Sequence, residues 1–310
     1  MRNRIGQRAI PLHAAMSSRL HEALLLLFRN RPELAPELLP GLKENAHNLC
    51  DPDSVMQLKD VVSSVEEGTM LIVIASVPFK CPPSPYEYAF LIEDMLQKRG
   101  VREAVRIVVT TPEPQPMPVA GKEVGAKMVA LLRERGIEFF PEQKPKMVDA
   151  SPHSVLYENG MEVLYDVLAA MPPHHAPKVV RDAGLTNEAG FIPVDLGTLR
   201  ASLPNIYAVG DSASLTLPNG KPHPKAGFFA EAQARTVSRN IIARLEGKRE
   251  ESYTGIGVCY VDTGRGQAAA AEAYLLAEGG PRFIFREPSR EGLEAKAQFE
   301  HAHLMRWFGG

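Results

Sequence analysis

Residues 69–77 read Thr-Met-Leu-Ile-Val-Ile-Ala-Ser-Val, an apolar run with no polar alternation. Such a run predicts a parallel strand buried on both faces. Apolar positions then recur at helical spacing over 84–99, and Gly100 ends the pattern. Val105–Thr110 predicts the next strand, 120–135 the next helix, closed by Gly136, and Ile137–Phe140 a short third strand. Strand–helix–strand–helix–strand is the pattern of an α/β, Rossmann-like, doubly wound unit. A polar helix over 53–67 precedes it, and 30–52, with Pro32, Pro36, Pro40 and Gly41, reads as loop. Strand-like segments near 146–150, 153–158 and 161–169 follow, with a hairpin turn at Asn159-Gly160. Further on, Ile206–Val209 predicts a strand, 228–246 a helix, Gly257–Asp262 and Phe283–Phe285 strand pieces, and 291–308 a closing helix.

Composition narrows the class. A charged fraction of 23% and a hydrophobic fraction of 45% are those of a soluble globular chain. Net charge is −2 with scattered basic residues, which argues against nucleic acid. No apolar run reaches the roughly 18 residues a spanning helix needs. Arg2, Arg4, Arg8 and Arg19 precede the first acid, Glu22. No clean apolar core or small-residue cleavage site follows, so an amphipathic helix over Leu12–Arg29 or a non-native start is expected. Three cysteines are too few and too odd a count for a disulfide framework, and they point to a reducing, cytoplasmic compartment or a site-specific thiol role. No Cys-x-x-Cys or His-Glu-x-x-His spacing occurs, and no metal is expected.

The turn after the first strand is unusual for its place. A dinucleotide-binding turn needs G-x-G-x-x-G so that the backbone can pack against a pyrophosphate. Here 78–85 reads Pro-Phe-Lys-Cys-Pro-Pro-Ser-Pro, with four prolines and no glycine. Proline removes N–H donors where a phosphate needs them, so nicotinamide nucleotide binding is disfavoured. The turn offers Cys81 instead. Before a helix start and next to Lys80, its thiol pKa is expected to fall; an inert buried cysteine is the alternative. His174 and His175, after Pro172-Pro173, read as surface histidines.

Residues 206–233 carry the clearest chemistry: a strand ending in Gly210-Asp211, a polar loop, Pro224-Lys225-Ala226-Gly227, then a helix. A carboxylate at a strand's carboxyl end and a helix N-terminus opened by glycine are ligand positions; a plain Gly-Asp turn is the bland reading. This arrangement resembles the C-terminal half of the FAD domain in flavoproteins with two dinucleotide domains. The wider set resembles the sulfide:quinone oxidoreductase and flavocytochrome c sulfide dehydrogenase flavoprotein family over roughly 38–310. The matching pieces are Leu39 to Cys50, Lys80-Cys81 with Pro85-Tyr86-Glu87, Val194-Asp195 with Thr198, Gly210-Asp211, Pro224 to Gly227, and Cys259.

That resemblance implies an FAD-dependent oxidoreductase. It implies that Cys81 and Cys259 meet near the flavin as a redox pair, with Cys50 as a third, less specific cysteine. Glu87 is a candidate proton relay, although a surface glutamate on a helix is the commoner reading. Gly210, Asp211, Lys225, Ala226 and Gly227 would hold the ribityl and isoalloxazine parts of FAD. Sulfide or a small thiol would be the substrate, and quinone or a cytochrome the acceptor. Self-association and contact with a membrane periphery stay open, the latter through Phe299, Leu304, Trp307 and Phe308. The expected division is 1–52 as a remnant of the FAD domain, 53–168 as a degenerate NAD domain, 169–248 as the C-terminal part of the FAD domain, and 249–310 as a tail domain. Residues 1–40 contain Gly6 as their one glycine and no G-x-G-x-x-G, so a family member missing most of its first FAD unit is expected. Two other readings stand beside it: a type II NADH dehydrogenase or disulfide reductase relative, and a non-catalytic fragment acting as an interaction module.

Overall fold

The computed structural model describes residues 34–309; the helix expected over Leu12–Arg29 lies outside them. The chain opens with α1 (Leu42–Asn45), β1 (His47–Asn48) and α2 (Pro52–Val62), whose N-cap Asp51 accepts from the Asp53 N–H. The region read as loop thus contains a strand. Then come β2 (Gly68–Ile74), α3 (Ser84–Arg99), β3 (Val105–Thr110), α4 (Lys122–Glu134) and β4 (Ile137–Phe140). An antiparallel meander follows, β5 (Pro145–Asp149), β6 (Ser154–Tyr157) and β7 (Glu162–Leu164), before β8 (Val167–Met171) returns. The parallel sheet has the order β1-β8-β2-β3-β4. Order reverses between β2 and β8, and the crevice at their carboxyl ends is where open α/β sheets bind ligands.

The apolar run at β2 is unbroken because both its faces are covered. Met70, Ile72 and Ile74 join Leu58, Phe90, Met128 and Leu132 of the helices. Leu71 and Val73 face the other way, onto Val155, Tyr157 and Val163 of the meander. One face is therefore closed by helices and the other by strands.

The remaining chain holds α5 (Lys178–Asp182), a short parallel pair β9 (Ile192–Pro193) and β10 (Ala213–Ser214), and α6 (Gly227–Leu245). The strand expected at 206–209 reduces to one bridge, Tyr207 to Arg200, because only the 199–201 segment lies alongside it among the described residues. The tail is an antiparallel sheet, β11 (Ile256–Asp262), β12 (Ala268–Tyr274) and β13 (Arg282–Ser289), covered by α7 (Arg290–Phe308). β12 reads Ala-Ala-Ala-Ala-Glu-Ala-Tyr, a helix-forming composition held as a strand by ladders on both sides. Its small side chains admit α7 closely: a Cβ on Gly292 would stand 2.1 Å from the Ala268 carbonyl oxygen. Among the described residues no helix is long and apolar enough to cross a membrane.

Candidate functional site

The proline-rich turn after β2 lies against the Lys225 strand-like segment. The Cys81 N–H donates to the Lys225 carbonyl at 2.6 Å, and Lys80 bridges to Lys225 in parallel. Sequence neighbourhoods 144 positions apart are thereby joined. Cys259, midway along β11, faces the same place. Lys225, Ala226, Phe228, Cys259, Phe283 and Glu113 all line one open, largely apolar pocket of about 830 Å³, a volume that includes the open solvent at its mouth.

None of the three cysteines is in a disulfide bond within the described residues. Cys81 takes a left-handed conformation, φ 53°, ahead of the α3 N-cap at Pro83. Its residue surface is exposed, so a small molecule reaches it, but the sulfur is crowded on its inner side. That crowding, and next the carboxylate of Glu87 on the first turn of α3, push its pKa up to about 11. The lowering expected from the helix start and Lys80 does not occur: desolvation and a facing acid outweigh a partial dipole charge. Burial drives Cys259 higher still, and charge on Cys81 or Glu87 adds to this, while Lys296 offsets part of it. Glu87 is not a free surface acid. It is half-buried, ion-paired with Lys296 from α7, and electrostatically felt by both thiols. Glu87 and Lys296 thus form a polar pair beside Cys81 and Cys259.

Lys225 is buried, and its Nζ donates to the carbonyls of Asp211 (2.6 Å) and Ala213 (2.9 Å) while lying 3.7 Å from the Phe191 ring centre. Burial lowers its pKa to about 8, opposed by the Asp211 charge. Lysine here fastens the Gly-Asp turn to the segment carrying the α6 N-terminus. Gly210, at φ +64°, is pinned by its N–H to Gln233 Oε1 at 2.7 Å. A Cβ there would press on Ala230 at 3.1 Å. Ala226 caps α6 with no side-chain bond, and open space lies in front of Gly227. An uncapped helix N-terminus beside an apolar pocket suits the polar edge of a flat ring system such as isoalloxazine. That half of FAD fits the residues present. The Asp195 carboxylate is engaged locally, accepting from the N–H and hydroxyl of Thr198, each at 2.7 Å.

Cys50 has sulfur and imidazole neighbours of its own. Its Sγ lies 3.9 Å from Met171 Sδ and 3.9 Å from His174 Nε2. His174, read as a surface histidine, is buried at 7% exposure, and His175 is half-buried with Nδ1 on the Ala176 carbonyl. Sequence reading also missed Glu113 and His223. Glu113 follows the carboxyl end of β3, and that position was the available signal. Burial raises its pKa to about 7. His223 is buried with Nδ1 at the Pro224 carbonyl and Nε2 at the Tyr253 hydroxyl; burial first, and the Lys225 charge last, lower it to about 4.

Comparison with known proteins follows this geometry. A model of the pyridine nucleotide-disulphide oxidoreductase family matches residues 86–240, half of the chain. The mitochondrial sulfide:quinone oxidoreductase of Dictyostelium discoideum is 25% identical over 252 residues, 77% of this chain and 54% of that protein. The sulfide-quinone reductase of Aquifex aeolicus is 26% identical over 242 residues, 72% of this chain and 55% of that protein. The chain spans about half the length of these relatives. The crystal structure of the Aquifex aeolicus sulfide:quinone oxidoreductase shares the fold at a TM-score of 0.74 and 24% identity, over 89% of this chain and 67% of that one. An NAD-dependent persulfide reductase from A. fulgidus aligns at 0.55 and 20% identity, over 78% of this chain and 42% of that one. The chain belongs to the pyridine nucleotide-disulphide oxidoreductase family, whose members are FAD flavoproteins.

Proposed function

We propose that this chain carries the sulfur-oxidising half of a sulfide:quinone-type oxidoreductase. The observation that carries the reading is the meeting of three separate stretches of sequence, Cys81 with Glu87, Lys225 and Cys259, beside an apolar pocket that Lys225 and Cys259 line. In the oxidised state Cys81 and Cys259 would form a disulfide. Hydrosulfide adds to one sulfur, the S–S bond breaks, and the other sulfur leaves as a thiolate holding the electron pair. Because burial raises the thiol pKa values, that thiolate is a strong electron donor; nucleophilicity falls as pKa falls. Were FAD bound, the two electrons would pass to it as the thiolate bonds to the outer sulfur of the persulfide, which loses its proton and leaves a trisulfide, and would go on to quinone or a cytochrome. Glu87, paired with Lys296, holds a proton-accepting carboxylate beside the thiols. Glu113, half-protonated near neutrality, stands in the wall of the pocket as a proton source for a reduced acceptor.

The test is anaerobic addition of sulfide to FAD-loaded chain, followed by flavin absorbance. Bleaching is expected, and Cys81→Ser should abolish it. Undiminished bleaching in that variant would overturn the role of the cysteine pair.

A further inference from the structure

We propose that Cys50, Met171 and His174 form a binding site for a soft monovalent metal ion, Cu(I). The topology brings them together. β1 and β8 run parallel, with Asn48 opposite Ala170, so Cys50 and Met171 leave adjacent strands at their carboxyl ends. His174 follows three residues later and is buried, as is Met171. The place is the crevice where the strand order reverses, with α3 arriving beside it: Ser84 Oγ is 3.7 Å from Met171 Sδ. Cys50 immediately precedes the N-cap of α2. Two helix N-termini therefore border the sulfur cluster.

Two edges of a trigonal donor set are in place. Three donors about 2.3 Å from one centre at about 120° stand about 4 Å apart. Cys50 Sγ lies 3.9 Å from each of the other two donors. As hydrogen bonds these contacts are poor, because thiol and thioether sulfur are weak donors and acceptors. Donor chemistry is what the trio shares. Thiolate and thioether select Cu(I), whereas a thioether is a poor ligand for hard cations. Among the described residues no three His, Cys, Asp or Glu side chains gather as a metal site, so the methionine defines this one. Binding would deprotonate Cys50 and release one proton, with no change in oxidation state.

The test is anaerobic titration of the full chain against the Cu(I)–bicinchoninate complex, with X-ray absorption of the loaded protein. One Cu(I) per chain should be withdrawn, with two sulfur donors and one nitrogen donor. Cys50→Ser and the volume-conserving Met171→Leu should each weaken uptake by more than about tenfold. His174→Gln should remove the nitrogen donor, and Cys81→Ser should leave uptake intact. Circular dichroism of each variant separates loss of the site from loss of the fold. No uptake, uptake surviving Cys50→Ser or Met171→Leu in the folded variant, or uptake lost with Cys81→Ser would each overturn the site.

Discussion

Glu113→Gln offers a sharp test of the pocket's electrostatics. The Glu113 N–H donates to Thr111 Oγ1 and its carbonyl accepts from Glu142, so the backbone is held. Its Oε2 is buried and meets no hydrogen-bond donor among the described residues. Burial raises the carboxyl from its ordinary 4.5 to about 7. Between those values the folded chain holds a proton that the unfolded chain has released, so stability is full below the lower value and falls as pH rises to the upper one. At 1.36 kcal/mol per pH unit the gap is worth about 3 kcal/mol. The carboxyl's open side on the pocket screens part of this and leaves about 1–2 kcal/mol. Glutamine does not titrate. In urea unfolding, the variant should therefore gain about 1–2 kcal/mol over the parent between about pH 4.5 and about pH 8. Parallel pH profiles for the two proteins would refute the burial argument.

The sequence carried the central sheet well, because β2 and β3 are runs of aliphatic and β-branched residues, and α3 and α4 each keep the helical period up to Gly100 and Gly136. It singled out Cys81, Cys259 and Lys225, which the fold brings near one another, but not their electrostatics. A helix start beside Cys81 is visible in one dimension, whereas the crowding and the facing Glu87 are three-dimensional. β12 escaped because alanine's propensity favours helix and only its two neighbours make it a strand. The segment at 206–209 has strand-like residues, but a strand needs ladder partners, and it meets only one bridge. The Cys50, Met171 and His174 cluster was invisible for another reason: its members span more than 120 positions and match no short metal-binding spacing.

Glu93, buried at 1% exposure, bonds Arg135 at 3.1 Å and Arg265 at 2.6 Å, tying α3 to α4 and to the β11–β12 hairpin. Glu93→Ala strands the buried Arg135 charge and should cost about 3–5 kcal/mol in chemical unfolding; a loss below about 1 kcal/mol would show that the network is dispensable. NADH should not bleach FAD bound to this chain, given the glycine-free turn at 78–85; rapid anaerobic bleaching would contradict that. FAD should leave the chain on extended dialysis, because the 310 residues contain no G-x-G-x-x-G cradle for its pyrophosphate; stoichiometric retention would count against this. The last prediction concerns α7, which divides into two functional lengths. Its first part is docked: Gly292 abuts Ala268, Lys296 pairs with Glu87, and Phe299 packs on Tyr260. Its end overhangs, with Leu304, Met305, Trp307 and Phe308 between 50% and 71% exposed, while His303 and Arg306 bond Glu231 of α6. An aromatic, apolar overhang flanked by cations suits a water–lipid interface. Truncation before α7 would strip the tail sheet of its cover and confuse docking with folding. Trp307→Ser/Phe308→Ser leaves the docked part intact. In flotation with phosphatidylglycerol-containing vesicles the parent chain should float and this variant should not. Equal flotation of both, or of neither, would exclude the overhang as the lipid contact.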